Sequence, residues 1–300
     1  MKILQIHTRV NTKEEINEVI KSFDYLYLLG IYKTTDYSKE FNKKYKLDPS
    51  LFSIYNHYTF EVDINQYDEY NKPLIVDFIP NHLGVQSNFL FGFDDCKYNS
   101  CNNIKLGYDG NNYWADVYQL NYFKKETFKY MLDQLKFLVS FKNISGVRID
   151  MANLLLKDIY NYNHRECSNT DVMYELIKAI KKIREDFIFI AETYSHYDDL
   201  INIGFDVVYN IEPRRNLQLK INQNKSLVVI DNHDEPLLCE LGFKNGDLTD
   251  KLKELLKFNN TLLYLPAICG YTHRPSANYW NDRDWHKSED IKKIYVDNLK

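Results

Sequence analysis

The chain has 300 residues, 44% of them apolar and 27% charged, enough for a sizeable core in one large barrel or two ordinary domains. A formal net charge of −4, with both signs interspersed, gives no electrostatic ground for nucleic acid or an anionic membrane as partner. No apolar run is long enough for a signal segment or a membrane span, so the expectation is a soluble, cytoplasmic protein.

The cysteines Cys96, Cys101, Cys167, Cys239 and Cys269 are odd in number and irregularly spaced. No CxxC pair supports a zinc site, and reduced, unpaired thiols are expected. No linker, repeat or low-complexity tract divides the chain. Short apolar runs alternate instead with longer amphipathic stretches, as in βα units around a parallel sheet.

Residues 2–8 read as the first strand. Thr12-Lys13-Glu14-Glu15 then opens a helix with the pattern of a capping box. Residues 25–29 form the second strand, and a short, poorly patterned helix is expected at 64–70. The third strand, 74–80, is apolar enough to be buried on both faces, as parallel strands are. An irregular inserted region of about 83–124 follows it, and βα loops of this kind sit on the C-terminal face of a barrel. The helix over 126–141 carries Phe128, Met131, Leu132, Leu135, Leu138 and Val139 at helical spacing. Strands at 145–149, 187–191, 205–209, 227–230 and 261–265 complete eight, and a last helix spans 288–298. The count predicts an α/β fold, a single (β/α)8 TIM barrel domain over residues 1–300 with one short inserted loop after strand 3.

The strand ends carry the chemistry. Strand three ends in Asp77-Phe78-Ile79-Pro80-Asn81-His82, strand four in Arg148-Ile149-Asp150, strand five in Ala191-Glu192 and strand seven in Asp231-Asn232-His233-Asp234. In a barrel these ends converge on one rim. A rim of carboxylates, Arg and His suits glycoside hydrolysis, which needs one carboxylate at the anomeric carbon and one carboxylic acid to protonate the leaving oxygen. Burial and mutual repulsion would keep that acid protonated, while a neighbouring Arg would keep the nucleophile ionised. Arg148 and Asp150 lie two apart on one strand, so they share a face. A strand-terminal Asp can equally be a helix cap, a lone His can be structural, and an acid cluster can hold a divalent metal. Capping accounts for neither the Arg nor the His.

These residues resemble the four motifs of the α-amylase family of glycoside hydrolases (glycoside hydrolase family 13): VDFIPNH at 76–82, GVRID at 146–150, IAET at 190–193 and IDNHD at 230–234. WADVYQLNY at 114–122 is similar to the stretch before that family's third helix, and GFDVVYN at 204–210 with NHDEP resembles a bacterial branch. The likeness runs from about residue 3 to 270. It implies a retaining hydrolase or transglycosylase, glucanotransferases included, acting on α-glucosides or maltooligosaccharides. Asp150 would be the nucleophile, Glu192 the general acid and then base, and Asp234 the stabiliser of the transition state. Arg148 would orient Asp150, His82 and His233 would bond the sugar, Asp77 would join the substrate-binding set, and Tyr55 would be the aromatic platform under the sugar. No cofactor is required. A structural calcium is allowed, with Asn81 at a position that helps bind it in many relatives. The partner is a small oligosaccharide or α-glucan, not nucleic acid or membrane.

The chain also departs from the family. The positions three and four after Asp150 are Asn153 and Leu154 where many amylases have Lys and His, and Ala191 stands in place of the usual Gly. The sequence stops just after the eighth unit, without the family's C-terminal β-sandwich domain, and a shortened enzyme with few subsites would favour small oligosaccharides. The competing readings are a non-catalytic carbohydrate-binding or scaffold protein on a degenerate barrel and a metal-dependent barrel hydrolase.

Overall fold

The computed structural model describes residues 1–87, 92, 105–165, 171–243, 245–281 and 285–299. Cys96, Cys101 and Cys167 lie outside the described residues; Cys239 and Cys269 are unpaired thiols. No helix among the described residues is long and apolar enough to cross a membrane.

Eight parallel strands close into a barrel. They are β1 (Lys2–His7), β2 (Tyr25–Leu29), β3 (Leu74–Phe78), β7 (Ile144–Ile149), β8 (Ile188–Ala191), β9 (Val207–Asn210), β10 (Ser226–Val229) and β11 (Thr261–Tyr264). Their order around the barrel is β1-β11-β10-β9-β8-β7-β3-β2. The other three strands, β4 (His82–Gly84), β5 (Leu106–Tyr108) and β6 (Tyr113–Gln119), form an antiparallel sheet in the order β4-β6-β5. This sheet lies between β3 and the helix Lys125–Val139, so the described part of a segment that reads as irregular in sequence is paired backbone.

Side-chain alternation along each strand sorts the core into two shells. Ile3, Tyr27, Ile75, Ile190, Tyr209, Leu227, Val229 and Leu262 pack on one another inside the barrel. Leu4, Ile6, Leu26, Leu28, Leu74, Val76, Val147, Ile149 and Phe189 point the other way and join the helices in the main core. Gly146 shares the inner face with Arg148 and Asp150. A Cβ there would stand 2.6 Å from the Ile188 carbonyl oxygen and 2.9 Å from Ile75 Cδ1, so only glycine lets β7 approach β8 in this register.

Local signals set the other elements. The Thr12 hydroxyl accepts from the Glu15 N–H at 3.3 Å, and Glu15 Oε2 accepts from the Thr12 N–H at 3.1 Å, which closes the capping box of helix Lys13–Val19. The expected helix at 64–70 is a 3₁₀ helix, Ile64–Tyr70. The helix Asp36–Lys43, capped by Thr35, is an addition to the sequence reading. The final helix, Glu289–Leu299, is fastened by the Tyr295 hydroxyl, which donates to buried Asp231 Oδ2 at 2.7 Å.

Candidate active site

The strand ends that read as functional do converge. Arg148, at the C-terminal end of β7, is 1% exposed and reaches four carboxylates. Its Nη1 donates to Asp77 Oδ1 at 3.1 Å and to Asp150 Oδ1 at 2.8 Å. Its Nη2 lies 2.9 Å from Glu192 Oε2 and 3.6 Å from Asp234 Oδ2. The guanidinium carbon sits 5.2 Å from the Phe52 ring centroid and 5.9 Å from that of Tyr209, so aromatic faces flank the cation where water would otherwise screen it.

Backbone geometry ties Asp150 and Glu192 together. Glu192 N–H donates to Ile149 O, and Ala152 N–H donates to Glu192 O, both at 3.0 Å. Met151 turns into the left-handed region at φ 45°, an uncommon conformation for a residue with a Cβ. That turn aims its N–H at Glu192 Oε2, 2.7 Å away. The residue after the nucleophile candidate thus grips the acid candidate, as backbone strain at functional sites often does.

One cation facing four buried carboxylates leaves a large excess of negative charge if all four ionise. Burial pushes Glu192 up to about 8; Arg148 opposes the shift, and repulsion from Asp150 and Asp234 adds to it. Asp77 is raised to about 7 by burial, against Arg148 and the Tyr27 hydroxyl. Asp234 moves up as well, through burial. The physical outcome is a site that holds a proton on a carboxyl group near neutral pH.

Asp150, Glu192 and Asp234 all line one cavity of about 570 Å³, together with His82, Phe52, Trp114, Asp116 and Met151. His82 is nearly buried and its ring meets the Trp114 edge at 5.1 Å. Desolvation lowers its pKa, which leaves the imidazole neutral at pH 7.

Other expected site residues play different parts. Asp77 does not line the cavity: it accepts from the Tyr27 hydroxyl at 2.7 Å and from Arg148, and so orients the cation. His233 is fully buried behind Asp234, its Nε2 3.1 Å from Asp234 Oδ2 and its Nδ1 2.8 Å from Gln5 Nε2. It is not among the residues that line the cavity. Tyr55 is 39% exposed and outside the cavity. The bridge Thr34↔Ile54 turns Ile54 inward, and alternation then sends Tyr55 out. Phe52, three residues earlier, lines the cavity beside the carboxylates and is stacked on His233 at 5.5 Å. Neither Asn153 nor Leu154 lines the cavity.

Asn81 is fully buried, and Gln119 Nε2 donates to both its Oδ1, at 2.9 Å, and its carbonyl oxygen, at 2.8 Å. No group of three or more His, Cys, Asp or Glu able to hold a metal occurs among the described residues.

Sequence reasoning missed Phe52, Asp116 and Gln5. A polar Gln inside the apolar run of β1 was a usable signal. The WADVYQLNY motif now has a physical reading: Trp114 and Asp116 face the cavity, Gln119 clasps Asn81, and the Tyr122 hydroxyl donates to Pro80 O.

The chain superposes on solved structures of α-amylases and of a cyclomaltodextrinase. An α-amylase from Lactobacillus plantarum superposes over 100% of this chain and 80% of its own, at TM-score 0.67 and 16% identity. The chain has the α-amylase fold. The Geobacillus thermoleovorans α-amylase in complex with acarbose matches over 99% of this chain and 78% of its own, at TM-score 0.65 and 15% identity. A cyclomaltodextrinase matches over 99% of this chain and 61% of its own, at TM-score 0.69 and 12% identity. No family model and no curated sequence matches the chain, so the α-amylase fold is a likeness of structure.

Proposed function

We propose that this protein is a retaining α-glycoside hydrolase or transglycosylase that acts on α-glucosides and maltooligosaccharides through a covalent glycosyl-enzyme intermediate. The observation that carries the reading is the single guanidinium of Arg148, which gathers Asp150, Glu192 and Asp234 at one cavity wall. Retention requires the nucleophile and the acid at about 5–5.5 Å, without the gap that an inverting enzyme leaves for water. Carboxylates held on neighbouring nitrogens of one guanidinium favour the retaining spacing.

In the first step an Asp150 oxygen bonds to the anomeric carbon as the bond to the leaving oxygen breaks, and Glu192 gives that oxygen its proton. Oε2 of Glu192 faces Arg148 and the Met151 N–H, so Oε1 is the oxygen left to carry the proton. In the second step the ionised Glu192 takes a proton from water or a sugar hydroxyl, which attacks the anomeric carbon and releases Asp150. Asp234 stabilises the positive charge that develops on the ring, and His82 bonds a sugar hydroxyl. Phe52 offers an apolar face to the sugar at the cleavage point.

The test is a panel of α- and β-linked glucosides, with products identified by mass and by the anomer first released. Cleavage of α-linked maltooligosaccharides with the α-anomer appearing first supports the proposal. First release of the β-anomer, or no turnover of any α-glucoside, would overturn it.

A further inference from the structure

Two loops at the barrel mouth are laced together. After β2, Asp48 N–H donates to Asn278 O at 2.9 Å and Leu51 N–H donates to Ala277 O at 3.0 Å. Asp48 Oδ2 in turn accepts from the Trp280 N–H at 2.5 Å and the Asn281 N–H at 2.8 Å. The Trp280 indole packs on His7 at 5.9 Å and under the Arg9 guanidinium at 5.7 Å. The loop after β11 is also anchored inward, since Arg274 Nε donates to His233 O at 3.2 Å and the Tyr264 hydroxyl donates to Pro275 O at 2.8 Å. These loops leave β2 and β11, which are the two neighbours of β1 in the barrel. The strap they form therefore crosses the mouth above β1, where the terminal His7 is fully buried.

Position in the barrel gives the strap a direction. β8 stands four strands from β1 whichever way the barrel is followed, so Glu192 faces the strap across the mouth. A general acid sits beside the leaving group, which in an α-glucan is the part toward the reducing end. The glycone then points at the strap, whose Leu47, Ser50 and Asn278 line the cavity. A longer chain would have to pass through a backbone-paired wall.

Resting on the glycosidase reading above, we infer that the strap makes the site blind on the glycone side, so that the enzyme acts at non-reducing chain ends and not on internal bonds. Asp48, which joins the two loops, is the specificity-determining residue; it contacts no reacting atom and acts by keeping the wall closed.

The experiment compares nitrophenyl maltoheptaoside with the same compound blocked at its non-reducing terminus by an ethylidene group. The parent enzyme should turn over the free-ended substrate at least about a hundredfold faster in kcat/KM, the order of discrimination a steric pocket supplies. Asp48→Ala should narrow that ratio about tenfold or more by raising KM-limited turnover of the blocked compound. Comparable cleavage of both substrates by the parent would overturn the inference while leaving the glycosidase reading intact. An unchanged ratio in a folded Asp48→Ala enzyme would remove Asp48 from the account. Cleavage of neither substrate would overturn the glycosidase reading and the inference with it.

Discussion

At the scale of single residues, the site is organised by a charge imbalance. Arg148 cannot neutralise Asp77, Asp150, Glu192 and Asp234 together, and in a buried setting the imbalance is relieved by protonation. On the proposed mechanism this suits Glu192 to the acid role and makes the roles separable. Asp150→Asn and Glu192→Gln should each lower kcat on a maltooligosaccharide by about a thousandfold or more with the fold intact. On glucosyl fluoride, whose leaving group needs no proton, Glu192→Gln should recover most of the loss in the first step and Asp150→Asn none. Steady-state rates on the two substrates, with circular dichroism as the control, check this. The aromatic platform gives a second contrast. Phe52→Ala should reduce kcat/KM by about ten- to a hundredfold through the loss of a stacked ring, whereas Tyr55→Ala, at an exposed ring outside the cavity, should change it less than about twofold. Equal effects would restore Tyr55 to the site.

At the scale of elements, the closeness of β7 and β8 is what brings Asp150 and Glu192 within reach of one ligand. Gly146 is the position that permits it. Gly146→Ala should destabilise the protein by about 1–3 kcal/mol, the range for overpacking a close-packed interior, and lower activity further by shifting Arg148; thermal unfolding and kcat measured together check both. The elements also explain which features were readable in advance. Parallel strands buried on both faces read as continuous apolar runs, so all eight barrel strands, and the polar residues that end them, stood out within a residue or two. Phe52 did not, because it lies in an irregular turn where no periodicity marks direction. The structure sets the Tyr27 hydroxyl against Asp77 and buries His233 beside Asp234, neighbours that stay hidden in the sequence because it gives a side chain's strand end and not what stands in front of it. β5 and β6 were hidden because antiparallel pairing within an insertion is set by partners distant in the chain.

At the scale of the whole molecule, the buried carboxyl groups link function to pH. Glu192 and Asp77 have folded-state pKa values, about 8 and about 7, above their ordinary values of 4.5 and 3.8. The folded state therefore binds these protons more tightly than the unfolded chain. Their contribution to stability is full below about pH 4 and is lost as pH rises through about 7 to 8. The same deprotonation removes the general acid, so kcat/KM should fall on the alkaline side with a midpoint near 8. Thermal denaturation from pH 5 to 9 should show a downward slope that Glu192→Gln flattens. A slope unchanged in that variant would mean that Glu192 does not hold its proton in the folded protein.

The claim on which the account depends is that Asp150 bonds to an anomeric carbon. Incubation with a fluorinated α-glucosyl fluoride, which slows the second step, followed by intact mass and peptide mapping, tests it directly. The expected result is one added glycosyl group per chain, located on Asp150 and absent from Asp150→Asn. A label on any other residue, or no label from a probe that is nevertheless hydrolysed, would contradict it.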